Sequence, residues 1–239
     1  MSIAAIDEWL HSPLGCQVIG WEQARMDEAV ADIFGFNALQ LGFPQCDFLR
    51  TNRIPLKKKA GDSGNVDVRC DLAALPFASQ SIDLVVLPHV LEFHPDPHQL
   101  LREIERILIP EGQLIIHGFN PVSLWGLRRS LMRQHSRVFP WNGNYLTVLR
   151  LKDWLSLLGF ELDRGCFGCY TLPLSQKGWL RRLSFMEAAG DRWWGFAGGV
   201  YLLRAIKRVR GMRLIEPKWR QNGLPASALR PITDKGVLR

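Results

Sequence analysis

The stretch from Ile82 to Gly118 restricts the fold more than any other part of the chain. Ile82-Asp83-Leu84-Val85-Val86-Leu87 is almost continuously apolar, the pattern of a strand covered on both faces. Asp96 then stands as an N-cap, Pro97 suits the first helical position, and Gln99 sits at N3 in a capping-box arrangement. Leu100, Leu101, Ile104, Ile107 and Leu108 make one apolar stripe. Pro110-Glu111-Gly112 ends the helix, and Gln113-Leu114-Ile115-Ile116-His117-Gly118 follows as a second strand. A strand–helix–strand unit of this kind closes as a right-handed parallel crossover, which puts the chain in the α/β class.

The flanking sequence extends that unit. Trp21 to Phe34 reads as an amphipathic helix with Met26, Val30, Ile33 and Phe34 on one face and Gly35 placed to stop it. Asn37-Ala38-Leu39-Gln40-Leu41 reads as an opening strand, and Val66 to Cys70 alternates like another. Between them, residues 43–65 are polar and interrupted by Pro44, Pro55, Gly61 and Gly64, with a tight turn into a short helix near Asp47 to Arg50. Further on, residues 122–134 read as a helix with a basic side, Arg150 to Leu158 as a helix stopped by Gly159, Phe160 to Tyr170 as a strand, and 199–208 as a last strand. The expected organisation is one domain over residues 1–210, with an N-terminal helical cap (1–36) and a Trp- and Arg-rich insertion (about 174–197). A loose basic tail (211–239), holding Pro217, Pro225 and Pro231 without periodicity, follows it.

Composition excludes several classes. With 47% hydrophobic residues the 239-residue chain can fill a core, and no apolar run approaches a membrane span. The first residues lack the basic n-region of a signal peptide. Five cysteines (Cys16, Cys46, Cys70, Cys166, Cys169) suggest no disulfide framework, so a cytoplasmic setting is expected. Cys166-Phe167-Gly168-Cys169 has C-x-x-C spacing but no second pair to complete a zinc site, and no metal is expected. The net charge of +7 is concentrated between Lys177 and Arg220, where Trp179, Trp193, Trp194 and Trp219 are interleaved. A solvated basic face and peripheral contact with an anionic membrane both fit that segment. Nucleic acid ranks last, because charge alone is non-specific.

From Cys70 onward the order of motifs resembles the class I S-adenosylmethionine-dependent methyltransferases, specifically the type 11 family. Asp71, Leu75-Pro76-Phe77, Ser81-Ile82-Asp83, Asp96-Pro97 and Pro110-Glu111-Gly112 follow the family's order and spacing. The resemblance implies a doubly wound, mostly parallel seven-stranded sheet. It implies S-adenosylmethionine as cofactor and a small or lipophilic methyl acceptor. It implies that Asp71 and Leu72 contact the adenine, that Gly42 lets backbone approach the methionine end, and that Leu87-Pro88-His89 lie beside the transferring methyl. His89 is then a candidate general base, with Glu92 and Asn120 as candidate substrate contacts at the pocket rim.

The cofactor end departs from the family pattern. Gln40 stands where an acid would close the first strand, and Phe43-Pro44-Gln45-Cys46 replaces the expected glycines. Only 23 residues separate Gly42 from Val66, so the second crossover is expected to be short and one helix missing or reduced. The acid expected about 20 positions on for the ribose falls near Asp62, in what reads as a loop rather than a strand end. Two functions stay open: an active methyltransferase with an atypical cofactor pocket, or the same fold kept as a binding module.

Overall fold

The computed structural model describes residues 8–132, 140–171 and 185–209. The tail 211–239 and the first part of the Trp- and Arg-rich insertion, residues 174–184, lie outside the described residues. In chain order the elements are α1 (Pro13–Val30), β1 (Asn37–Leu41), β2 (Leu56–Gly61), β3 (Val68–Arg69), β4 (Ile82–Pro88), α2 (Pro97–Ile107) and β5 (Leu108–Phe119). They continue with α3 (Leu124–Met132), α4 (Val148–Leu157), β6 (Phe160–Gly168), α5 (Phe185–Trp193), a 3-10 turn (Gly195–Ala197) and β7 (Val200–Lys207).

The strands form one seven-stranded sheet in the order β3-β2-β1-β4-β5-β7-β6. β1 pairs in parallel with β2 and β4, β3 with β2, and β5 with β4, while β7 runs antiparallel to both β5 and β6. The chain winds outward from β1 to β3 and then returns to lay β4 on the other side of β1. That reversal opens a crevice at the carboxyl ends of β1 and β4, where ligands of such sheets bind. One face carries α2 and α4 over Leu39, Leu41, Val85, Leu87, Leu114 and Ile116; the other carries α1 over Ala38, Leu84, Val86, Ile115 and Phe119. Covered on both faces, β4 has no polar-out side, which is why it reads as an unbroken apolar run.

Several elements differ from the sequence expectation. α1 starts at Pro13, eight residues early, because the Ser12 side chain accepts from Gly15 N at 3.0 Å and Pro13 stands at N1. β2, Leu-Lys-Lys-Lys-Ala-Gly, carries no apolar alternation. β3 covers only its last two residues (Ala60↔Val68, Gly61↔Arg69), so the lysines stay on a largely open edge where charge is tolerated. Phe48 to Thr51 forms a turn rather than the short helix expected near Asp47 to Arg50, with Asp47 Oδ1 accepting from Leu49 N at 3.1 Å. Pro110-Glu111-Gly112 does not end α2; the strand starts at Leu108, and this tripeptide, with Glu111 at φ +64°, lies within it at a register shift between Ile82 and Leu84. The β1–β2, β2–β3 and β3–β4 connections contain no helix, and residues 62–67 alone join β2 to β3.

Candidate functional site

Four loops meet at the carboxyl edge of the sheet. β1 ends in Gly42 (φ +71°), whose N–H donates to Ala60 O at 2.8 Å. A Cβ there would stand 2.7 Å from Val90 Cγ2 and would adopt a conformation that only glycine takes freely. The loop beyond it has no further glycine, yet it is tightly held. Buried Gln40 points its amide into it: Nε2 donates to the carbonyls of Gly42 (3.2 Å), Phe43 (3.0 Å) and Cys46 (2.9 Å), and Oε1 accepts from Phe48 N at 3.1 Å. Lys59 Nζ adds a bond to Pro44 O at 3.1 Å. Pro44 in turn packs on Gly64 (φ +85°), where a Cβ would sit 2.6 Å from Pro44 Cγ. The space a glycine at position 44 would have left is supplied by the facing loop.

Asp62 follows the last residue of β2, so it stands at a strand end after all, exposed and accepting from Ser63 Oγ at 2.7 Å. In the sequence Ala60-Gly61-Asp62-Ser63-Gly64 reads as a loop, and the lysines 57–59 before it hide the strand. Gly42, Phe43, Pro44, Asp62, Ser63 and Leu72 line one side of an open cleft; Pro88, His89, Val90, Phe93, His94 and Pro95 line the other.

Beneath the cleft lies a buried charge cluster. Leu14, Val18, Glu22, Met26 and Val30 form the inward stripe of α1, with an acid at its centre. Glu22 Oε1 meets His89 Nε2 at 2.5 Å, and Glu92 Oε2 meets His89 Nδ1 at 3.0 Å. Glu92 Oε1 accepts from Phe119 N, and His117 Nδ1 stands 3.7 Å from Glu22 Oε2. The His89 ring also stacks on Phe119 with centroids 4.2 Å apart. Burial alone would push Glu22 up, but His89 and His117 outweigh it and hold the carboxyl at about 2. Burial would likewise push His89 down, but Glu22 and Glu92 outweigh it and raise the imidazole to about 10. For Glu92 burial prevails over the His89 charge and the Phe119 N–H, and its carboxyl lies above the ordinary value. His89 is thus an imidazolium clamped between two acids. Its backbone is left-handed (φ +53°), which costs a residue with a Cβ roughly 1–2 kcal/mol.

The structure separates the expected site residues into two groups. Gly42, Leu72, Pro88 and His89 reach the cleft wall. Asp71 does not: it is exposed, and its Oδ1 accepts from Ala73 N at 2.9 Å as a turn residue. Gln40 faces its own loop, and Leu87 lies in the core under α2 and α4. Glu92 is buried against His89, and both of its carboxyl oxygens are engaged. Asn120 donates to the carbonyls of Val122, Phe196 and Gly198, and its Oδ1 accepts from Val122 N at 3.0 Å, so it ties β5 to the turn before β7. His89 has both ring nitrogens engaged beneath the cleft, Nδ1 with Glu92 and Nε2 with Glu22. Cys169, at the end of the C-x-x-C run, is buried, and burial pushes its thiol far up, which makes it unreactive.

Comparison with known proteins agrees with this geometry. A family model described as a methyltransferase domain matches residues 44–116. The chain is 34% identical over 164 residues to the uncharacterised protein YafS of Escherichia coli, a match covering 67% of this chain and 68% of that protein. It is 30% identical over 133 residues to malonyl-[acyl-carrier protein] O-methyltransferase 1 of Coxiella burnetii, covering 54% of this chain and 45% of that one. A Thermotoga maritima structure, described as an S-adenosylmethionine-dependent methyltransferase and possible histamine N-methyltransferase, superposes with a TM-score of 0.61. It is 19% identical, over 84% of this chain and 94% of that chain.

Proposed function

We propose a function from one premise: the chain belongs to the class I S-adenosylmethionine-dependent methyltransferase family, and S-adenosylmethionine is its cofactor. On our reading it is an active methyltransferase rather than a binding module. The observation that carries this is Asp62, an exposed carboxylate at the carboxyl end of β2 that shares a cleft with Gly42. The reading as a binding module drew on an absent ribose acid and on lost glycines. Asp62 supplies the acid, and the Gln40 amide organises the loop without glycines.

The cofactor brings an already activated sulfonium methyl, so this chain's residues have to position rather than activate. Asp62 would accept from the ribose hydroxyls of the bound cofactor, Gly42 would admit its methionine end against backbone, and Leu72, Phe43 and Val90 would supply apolar walls. The general base on this reading is His94, which lines the cleft and whose Nδ1 lies 2.8 Å from the Asp96 carbonyl and 3.1 Å from the Asp96 N–H; in the tautomer that donates from Nδ1 to the carbonyl, Nε2 takes a proton from an O–H or N–H acceptor. A carboxylate acceptor, the type named for the Coxiella relative, would need no such base.

Isothermal titration with S-adenosylmethionine tests this reading. Micromolar binding is expected for the native chain. Asp62→Ala should weaken it about tenfold or more, the value of one charge-assisted hydrogen bond. Asp71→Ala should leave it unchanged. No binding at millimolar cofactor, or equal losses in the two variants, would overturn the assignment.

A further inference from the structure

We propose that the carboxyl edge of the sheet docks on an anionic lipid bilayer through α3 and the segment between α5 and β7. On α3, Leu124, Leu127 and Leu131 fall within about 60° of arc and stand 38%, 56% and 76% exposed, while Trp125 on the opposite side is buried. Val122, just before the helix, is 56% exposed. At the end of α5 and in the following turn, Trp193, Trp194 and Phe196 are exposed by more than half. Asn120 joins the two elements, because its Nδ2 donates to the carbonyls of both Val122 (3.3 Å) and Phe196 (2.8 Å). A soluble surface has no use for so many neighbouring apolar side chains, and two of them are tryptophans, the residue that favours the bilayer interface.

Charge selects the occupant. Arg128 lies beside the leucine stripe with its guanidinium 4.9 Å from the Trp141 ring, and Arg192 is exposed next to Trp193. The whole chain carries +7. A two-fold pair built on this face would bring Arg128 and Arg192 of both copies into one interface, where like charges oppose each other. Against anionic headgroups the same arginines attract while the leucines and tryptophans enter the acyl boundary.

Topology gives the docking a purpose. β5 ends at Phe119 and β7 begins at Val200, and these two residues pair, so α3 and the turn before β7 stand on the edge that also carries Gly42, Asp62 and His89. A bilayer held there lies on the cleft side of the sheet, where an amphipathic acceptor would be presented. Only this last step rests on the proposed methyl transfer; the docking itself does not.

Co-sedimentation with vesicles separates the two. The full chain should pellet with phosphatidylglycerol-containing vesicles at low salt, bind pure phosphatidylcholine at least tenfold more weakly, and release at high salt. The double variant Leu127→Glu/Leu131→Glu, at exposed positions, should lose at least tenfold in vesicle affinity while its cofactor titration stays native. Trp193→Ser/Trp194→Ser should do the same. Three results would overturn the docking whatever the cofactor titration shows: no pelleting of the native chain, native pelleting by both variants, or a dimer on gel filtration that the glutamates dissolve.

Discussion

Glu22→Ala is expected to cost the fold about 3–5 kcal/mol, the range for removing one partner of a buried ion pair and leaving the other charged. The truncation takes the carboxylate from His89 Nε2, leaving the buried ring with Glu92 alone, and leaves His117 facing a cavity. Chemical denaturation of the variant beside Arg25→Ala measures this, because Arg25 lies on the same helix in an exposed pair with Glu28. A difference below about 1 kcal/mol between the two would show that the cluster is a bystander. The pH dependence has two limbs. Glu22 is lowered from 4.5 to about 2, so its contribution is complete above pH 4.5 and is lost as pH falls toward 2. His89 is raised from 6.5 to about 10, so its contribution is complete below pH 6.5 and is lost as pH rises toward 10. Glu92, whose carboxyl is raised above 4.5, adds a loss that begins as pH rises past that value, so native stability should be greatest near pH 4.5 and fall on both sides, and Glu22→Ala should flatten the acid limb.

Gln40→Leu should disable the cofactor loop. The leucine leaves the carbonyls of Gly42 and Cys46 and the N–H of Phe48 without their side-chain partner in a largely buried place, while the Phe43 carbonyl keeps Cys46 N at 3.2 Å. At about 1 kcal/mol or more for each stranded group, a loss of several kcal/mol is expected. Affinity for S-adenosylmethionine should fall more than tenfold as the loop loses its shape. Gln40→Glu is the sharper variant. It keeps the volume but turns an acid oxygen toward three carbonyls, so it should behave like leucine at neutral pH. Relative to the native chain at the same pH, the glutamate should recover partly near pH 4–5, where a protonated carboxyl can again donate. A leucine variant that binds cofactor normally would mean that the amide is incidental to the loop.

Much of the frame was readable in order along the chain. β4, α2 and β5 declare themselves because a strand covered on both faces and a capped helix leave local, periodic marks, and the family resemblance rests on that same stretch. β2 was not readable, since an edge strand that keeps its lysines in water loses the alternation that would reveal it. The glycines and polar residues from Gly61 to Gly64 then read as a loop, so the strand end that carries Asp62 stays hidden. Gln40 looked like a loss when compared with an acid followed by glycines. Its meaning depends on three carbonyl groups that turn back toward it only once Phe43 takes a left-handed conformation (φ +51°).

The amino-acid sequence by itself determined the class of sheet, the family and the carboxyl edge where chemistry would be sought, because these follow from short-range patterns of polarity, capping and turn residues. It also carried a warning that could have been read: an acid, Glu22, within the four-residue spacing of Leu14, Val18, Met26 and Val30. Which group neutralises that acid was decided only by the tertiary structure. His89 is 67 positions away and meets it because β4 and α1 pack on the same face. Burial makes such a pairing compulsory, but the partner is chosen by distance in space, which no local pattern encodes.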